Sequence, residues 1–211
     1  PVTARLHSVY FDTPALELQR RGIALRVRRE AGGWVQCIKG GGAAQAGLHQ
    51  RLEFEAPVAG PQPDYAIIPD PAFSEVFASP RLRERLRPIF VTEVSRSTRL
   101  LQLDPGTTVE ASVDRGVIRA GRHSEPVSEI ELELKAGEPW RLHEHALGLL
   151  KIARLRVENR SKAERGYALA RPKRAAPVKA RAPAIAPAMT TGAVFQTIAS
   201  AALAHLQANE P

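Results

Sequence analysis

The segment 128–135 constrains the fold most, because charged and aliphatic side chains alternate strictly along it. In a β-strand, successive side chains point to opposite faces, so this segment places three glutamates on one face and three aliphatic residues on the other. The glutamates are Glu129, Glu131 and Glu133. Neighbouring carboxylates on one strand face are about 7 Å apart, and such like charges need cations nearby. The segment therefore predicts a strand whose acidic face meets positive charge or a metal ion.

A matching set of basic residues alternates along strands predicted earlier in the chain. The set comprises Arg26, Arg28, Lys39 and Arg51. Guanidinium and ammonium groups bind phosphate oxygens, and carboxylates suit hard divalent cations. The two sets together indicate a site for a polyanion such as a triphosphate.

The same alternation is typical of an antiparallel sheet with one face in the core and the other in water. The distribution of sign along the chain favours a different interpretation. The charged faces are basic on 23–30 and 34–39 and acidic on 128–135. We therefore expect an enclosed space divided between phosphate and metal, as in a closed barrel of about eight strands with a polar interior.

Up to residue 135, the sequence consists mostly of short segments with strand patterning that are separated by turn residues. This pattern predicts a mainly antiparallel β fold with added helices. The predicted strands are 5–11, 23–30, 34–39, 49–56, 90–103, 108–114, 117–122, 128–135 and a further one near 154–159. Helices are predicted over 72–87, with a break near Pro80, and over 139–150. Gly32-Gly33 and Asp114-Arg115-Gly116 are predicted to be hairpin turns. We expect the helices to cover the outside of an eight-stranded closed tunnel.

Net charge gives little support for nucleic-acid binding. Of the 30 Lys and Arg residues, five lie in 171–181, which leaves 25 basic against 21 acidic residues in 1–170 and a net charge of +4 there. A basic tail of that kind is usually solvated. The lone Cys37 excludes an intrachain disulfide, and no apolar run approaches the roughly 20 residues that a bilayer span requires. The prediction is a cytoplasmic protein that binds neither membrane nor nucleic acid.

Proline, alanine and cations dominate the segment after residue 170, and this composition is typical of an extended linker. The predicted organisation is a first domain over 1–170, a linker over 171–188 and the first helix of a second domain over 189–211. Phe195, Ile198, Ala202 and Leu206 share one face of that helix.

Six segments occur in an order that resembles the CYTH family, the triphosphate tunnel metalloenzymes. The segments are Tyr10 to Pro14, Leu25 to Arg28, Lys39-Gly40, Arg51 to Glu53, Ser128 to Glu133 and Asn159 to Tyr167. The resemblance covers residues 5–170. The helix after the linker is similar to the start of a CHAD domain, a helical partner associated with polyphosphate binding.

The resemblance implies an eight-stranded tunnel that binds a triphosphate with one or two Mg²⁺ or Mn²⁺ ions and cleaves the terminal phosphoryl group. By position, the implied substrate ligands are Arg26, Arg28, Lys39, Arg51, Arg99, Arg156 and Lys162. The implied metal ligands are Glu53, Asp114, Glu129, Glu131 and Glu133, and the implied catalytic residues are Glu129, Glu131 and Lys162. Inorganic triphosphate is the expected substrate.

The chain departs from the family pattern at one point. The family's N-terminal Glu-x-Glu-x-Lys strand does not occur before Arg5, so we expect that strand to precede Pro1 and expect the 211 residues to be incomplete as a catalyst without it. The alternatives are a non-catalytic polyphosphate- or nucleotide-binding module, a thiamine triphosphatase and an adenylate cyclase.

Overall fold

The computed structural model describes residues 1–45, 48–68, 71–104, 106–172 and 176–209, with side chains at all of these except 42–51 and 72. Within these ranges, seven strands form one sheet in the order β4-β3-β2-β1-β5-β6-β7, and every neighbouring pair is antiparallel. The strands are β1 (Val2–Asp12), β2 (Ile23–Glu30), β3 (Gly33–Gln45), β4 (Leu48–Val58), β5 (Arg87–Asp104), β6 (Thr107–Ala120) and β7 (His123–Ala136).

The mainly antiparallel architecture was predicted correctly, but the number and closure of the strands were not. The sheet of the described residues has seven strands, and β4 and β7 remain its unpaired edges, so no eight-stranded closed barrel forms. The strand predicted near 154–159 is irregular chain. The turn predicted at Asp114-Arg115-Gly116 is also wrong, because β6 runs straight through it and turns only at Gly121, which has a φ of 56°.

Six helices accompany the sheet in the described ranges. They are α1 (Glu17–Arg20), α2 (Pro71–Phe77), α3 (Pro80–Arg83), α4 (Trp140–Leu150), α5 (Lys162–Ala170) and α6 (Thr191–Ala208). The break predicted near Pro80 separates α2 from α3, where Ser79 caps α3. None of these helices is long and apolar enough to cross a membrane.

One face of the sheet, which we call the outer face, carries the larger core. Leu25, Val27 and Ile38 lie on it and are fully buried. They pack against α1, α2 and α3 through Leu18, Phe73, Phe77 and Leu82. These three short helices cover β1–β4 from outside, as expected.

The opposite face, which we call the inner face, is apolar at one end and charged elsewhere. Tyr10, Phe90 and Ile118 line its apolar end and pack against Tyr167 of α5. α5 therefore lies on the inner face, where the sequence had predicted no helix. Its N-terminal half reaches the charged part of that face.

The sheet curls around the inner face, as the electrostatic influence of one edge strand on the other indicates. Lys135 on β7 donates to Glu133 at 2.7 Å. That hydrogen bond raises the pKa of Lys135 and burial opposes it, while the charges of Glu133, of Glu110 and, least, of Glu53 on β4 raise the pKa further. Since β4 and β7 are opposite edges, the influence of Glu53 on Lys135 means that the edges approach each other.

A substitution at Gly116 tests whether close packing against β5 is the reason that β6 continues through the predicted turn. A Cβ at this position would collide with the carbonyl oxygen of Glu93 and lie 2.8 Å from Cα of Val94 on β5. We expect Gly116→Ala to lower the free energy of unfolding by about 1–3 kcal/mol, because the backbone of β5 must move. Urea unfolding measures this, with Gly32→Ala as the matched control because nothing lies within 4 Å of its Cβ position. Equal stability of the two variants would contradict the close approach.

Candidate active site

Strand register places most of the charged residues predicted for the site on the inner face. Arg26 pairs with Tyr10 and Cys37, Lys39 pairs with Glu53, and Asp114 pairs with Arg96 and Glu129. Residues in register across a sheet share a face. The basic residues of β2 and β3 and the acidic residues of β6 and β7 therefore face the same space inside the curl.

Three carboxylates converge on the β6–β7 side of this space. Asp114, Glu129 and Glu131 each offer one oxygen, and these oxygens lie within 4.8 Å of one another. We call this set the acidic triad. Asp114 is completely buried, while Glu131 remains half exposed. Such a group can hold a divalent cation through oxygen ligands only.

Three cations contact the triad: Lys162 and Arg96 each contact more than one of its carboxylates, and Arg165 contacts Glu129. The ammonium of Lys162 lies 2.7 Å from Asp114 Oδ2 and 2.8 Å from Glu131 Oε1, and it also donates to Glu129 Oε1. Arg96 donates to both oxygens of Asp114 at 2.7 and 2.6 Å and to Glu131. The three like charges are therefore neutralised by direct, charge-assisted hydrogen bonds.

The ion pairs between these residues set the protonation states of Glu131 and Lys162. Burial opposes ionisation of Glu131, but Lys162 and Arg96 outweigh it and lower the pKa of Glu131 to about 2. Burial also opposes the charge on Lys162, yet the surrounding carboxylates raise the pKa of its ammonium. At neutral pH Glu131 is thus a poor proton acceptor and Lys162 a permanent cation. Glu131 is therefore suited to ligation rather than to general base catalysis.

α5 is held in place by local signals that the sequence contains. Ser161 and Glu164 form a capping box, in which Glu164 N donates to Ser161 Oγ at 3.2 Å and Ser161 N donates to Glu164 Oε2 at 2.7 Å. Gly166 allows the helix to approach the ring of Phe90, with which any Cβ would collide. Lys162 and Arg165 lie one helical turn apart and both reach the acidic strands.

Arg165 provides a further contact that the sequence reasoning missed. Its side chain is 7% exposed, and it donates to Glu125 Oε1 at 2.6 Å, Glu129 Oε2 at 2.7 Å and the carbonyl oxygen of Pro126 at 2.7 Å. The capping box and the three-residue spacing from Lys162 were the available signals. Arg96 was also missed, because Thr92 to Arg96 does not alternate clearly enough to show which face it occupies.

Two arginines of β2 form the basic side of the space. Arg28 lies 2.5 Å from Glu30 and 3.3 Å from Glu55, and Arg26 lies 3.9 Å from Glu55. The Nε atoms of Arg26 and Arg28 are buried and have no acceptor among the described residues. Burial opposes the charge on Arg26, but electrostatic interactions and a hydrogen bond with Tyr10, together with the charge of Glu55, raise its pKa. Buried guanidinium donors without acceptors are suited to binding an anion.

Lys39, Cys37 and Glu53 form a second, smaller group at the β3–β4 edge. Lys39 lies 3.0 Å from one oxygen of Glu53, and the Cys37 thiol donates to the other at 3.1 Å. Burial raises the pKa of Cys37 to about 11, so the thiol stays protonated at neutral pH. Cys37, Glu53 and Glu55 also bring one ligand atom each within 4.8 Å of one another. Glu53 therefore belongs to this group and lies outside the acidic triad.

Some residues predicted for the site lie elsewhere. Arg99 pairs with Ala111 and thus occupies the outer face, exposed, while Arg96 takes the position on the triad. Glu133 contacts Lys135 and is 65% exposed. Arg156 is exposed on the irregular segment between α4 and α5. Arg51 lies in β4, but its side chain is outside the described set.

Comparison with known proteins agrees with this geometry. The CYTH domain matches residues 1–167. The chain belongs to the CYTH family. The CYTH match ends before the linker, and the predicted CHAD-like start beyond it stays a prediction.

Two relatives of this CYTH chain are informative. An inorganic triphosphatase from Haemophilus influenzae is 32% identical over 165 residues, which cover 78% of this chain and 46% of that protein. The chain thus spans about half the length of that relative. The solved structure of HpAC1 from Hippeastrum, described as an adenylyl cyclase with a dominant triphosphatase activity, has a TM-score of 0.56 at 16% identity and covers 80% of this chain and 83% of that one. It supports the fold.

The low pKa of Glu131 predicts how stability depends on pH. The folded-state pKa lies at about 2, below the ordinary value of 4.5, so the stabilisation is complete above pH 4.5 and is lost as the pH falls towards 2. We expect Glu131→Gln to be less stable than the wild type at pH 6 and to lose less stability on acidification. Urea unfolding between pH 6 and 2 measures this. Glu75→Gln, at an exposed position on α2, is the control and should keep the wild-type slope. Parallel curves for wild type and Glu131→Gln would contradict the prediction.

Proposed function

We propose that this protein is a metal-dependent triphosphatase whose substrate is inorganic triphosphate. The observation that carries the proposal is that one face of the sheet combines two arginines on β2, whose buried Nε atoms have no acceptor among the described residues, with a triad of carboxylates on β6 and β7. A triphosphate complexed with a divalent cation has the complementary charges. Family membership and the relative named an inorganic triphosphatase give further support.

The acidic triad fits a divalent metal ion. It already surrounds the ammonium of Lys162, which shows that its oxygens converge on a cation. Asp114, Glu129 and Glu131 would hold the ion, and an all-oxygen donor set favours Mg²⁺ or Mn²⁺ over zinc. Bound there, the ion would supply positive charge against the phosphate oxygens.

The chain's own residues then perform the remaining tasks. Phosphoryl transfer needs positioning of the substrate and neutralisation of charge on its oxygens, with little covalent work for the protein. Arg26 and Arg28 would bind phosphate oxygens through their unsatisfied donors, and Lys39 would add an ammonium at the neighbouring strand. Lys162, permanently protonated, would leave its position between the carboxylates when the ion binds there, and would donate to the phosphoryl group next to the triad. The curl of the sheet would limit the access of water.

The first test is phosphate release from inorganic triphosphate with Mg²⁺ or Mn²⁺, measured on the 211-residue chain and on the full gene product. We expect metal-dependent release in the form that carries the Glu-x-Glu-x-Lys strand, and we expect Glu131→Ala to abolish it there while the circular dichroism spectrum is retained. Tight binding of triphosphate without release in either form would instead favour the non-catalytic binding module. Release from thiamine triphosphate or formation of cyclic AMP at a higher kcat/KM would change the assigned substrate.

A second test separates two arginines that lie three residues apart. We expect Arg96→Gln to lower kcat/KM by about 10- to 100-fold, because Arg96 orients two carboxylates of the triad. Arg99→Gln is the matched substitution on the outer face and should leave kcat/KM near the wild-type value. A larger effect at Arg99 would support its predicted role as a substrate ligand and contradict the present geometry. Thermal midpoints of both variants show whether they fold.

We further propose that residues 171–188 are a linker and that α6 begins a CHAD-like helical domain that assists with polyphosphate. The exposure of Phe195 and Ile198 on α6 supports this, because apolar side chains of a helix are normally packed. The buried, protonated thiol of Cys37 is compatible with a cytoplasmic location.

A further inference from the structure

We propose that Arg165 is a positioning residue that fixes Glu129 as a ligand of the divalent cation, and that Glu125 in turn fixes Arg165. The inference rests on the proposed function in one respect, because it takes the acidic triad as the metal site. It concerns two residues, Arg165 and Glu125, that do not belong to the triad.

All three nitrogen atoms of the Arg165 guanidinium donate hydrogen bonds. Nε donates to Glu125, one terminal nitrogen donates to Glu129, and the other donates to the carbonyl oxygen of Pro126, each within 2.7 Å. The side chain is 7% exposed, so water competes little for these donors. A planar fork with three partners in fixed positions has one favourable orientation. Arg165 is therefore a rigid element and not a mobile counterion.

The two oxygens of Glu129 have different partners as a result. Oε2 accepts from Arg165, whereas Oε1 accepts from Lys162 inside the triad. Arg165 thus prevents the carboxylate from turning and leaves Oε1 as the oxygen that Glu129 contributes to the group. Partners of this kind, which orient a metal ligand without touching the metal, commonly affect metal affinity strongly.

Glu125 and Glu129 lie on the same strand, β7, and Arg165 lies on α5. The guanidinium therefore joins the helix to the strand at two carboxylates with a backbone oxygen between them. Glu125 contacts Arg165 and is not a member of the triad. A substitution at Glu125 that keeps its charge therefore tests the contact with Arg165.

The charge of Arg165 and its positioning role have opposite expected effects on the affinity for the metal ion, so the inference is testable. A guanidinium beside a metal ligand repels the metal ion, so its removal would tighten metal binding if charge dominated. Arg165→Lys separates the two contributions, because it keeps the positive charge and loses the three-way fork. Weaker metal binding by this variant would show that Arg165 acts by orienting Glu129 and not by its charge.

The experiment measures the affinity for Mn²⁺ alone, without substrate, from the electron paramagnetic resonance signal of free Mn²⁺. We expect Arg165→Lys to raise the Kd by about 10- to 100-fold. Arg119→Lys is the matched control, because Arg119 forms an exposed ion pair with Glu93 on the outer face, and it should change the Kd by no more than about twofold. Titrations are made well below the thermal midpoint of each variant, so that a purely structural effect on stability does not change the Kd.

A second variant keeps the proposal testable if Arg165→Lys does not fold. Glu125→Asp preserves charge but shortens the acceptor by one methylene, so Arg165 can no longer satisfy all three partners, and the Kd should rise in the same direction. An unchanged or lower Kd in a folded Arg165→Lys, or in Glu125→Asp if only that variant folds, overturns the proposal, as does a wild type that does not bind Mn²⁺. A wild type that binds Mn²⁺ but releases no phosphate defeats the proposed function alone, and the Kd ratios still decide this inference.

Discussion

Mutual repulsion between carboxylates is the constraint on which the rest of the site depends. Asp114, Glu129 and Glu131 bring oxygens within 4.8 Å of one another, an arrangement that is unfavourable unless positive charge lies between them. Lys162 and Arg96 provide that charge directly. The position of α5 on the inner face follows from this requirement as much as from the apolar packing of Tyr167 on Phe90.

A buried ionic network of this kind is weak support for stability. Removing ions from water costs several kcal/mol for each ion, and well-packed apolar residues often replace such a network without loss. The protein has an apolar core on the outer face, around Leu25 and Phe77, that needs no ions. The network on the inner face is therefore better explained by what it binds than by the fold. A cluster of ligands held by fixed counterions is already organised before a cation or a phosphate arrives.

The sequence predicted the faces of the strands better than it predicted their number and their ends. Charged and aliphatic residues alternate strictly over 128–135 and along the basic strands, and side chains of a strand alternate between its two faces. The pattern therefore predicted that Arg26, Lys39 and Glu131 lie on the charged faces of their strands. The turn at Asp114-Arg115-Gly116 was wrong because Gly116 serves close strand packing, a contact between distant segments that local turn propensity does not contain. α5 was missed because its nine residues are dominated by tertiary contacts, although Ser161 and Glu164 carry a capping signal.

The arginines of β5 show a limit of reasoning by motif. Arg96 and Arg99 are three residues apart, an odd number, so they must occupy opposite faces of a regular strand. Resemblance selected Arg99, whereas register selects Arg96, which pairs with Asp114. Both are basic and both fit a phosphate site by composition, and only the pairing of β5 with β6 distinguishes them.

The curl of the sheet is what makes one site from two groups of strands. β2 and β7 are separated in the sheet by β1, β5 and β6, and a flat sheet would keep Arg26 on β2 and Glu131 on β7 apart. The electrostatic contact of Lys135 with Glu53 shows that the edges of the sheet approach each other. Lys135 and Glu53 are both on the inner face, and each also contacts a residue of its own strand pair, Glu133 and Lys39 respectively. Charges of both signs are thus present at each edge, and Glu53 on β4 raises the pKa of Lys135 on β7.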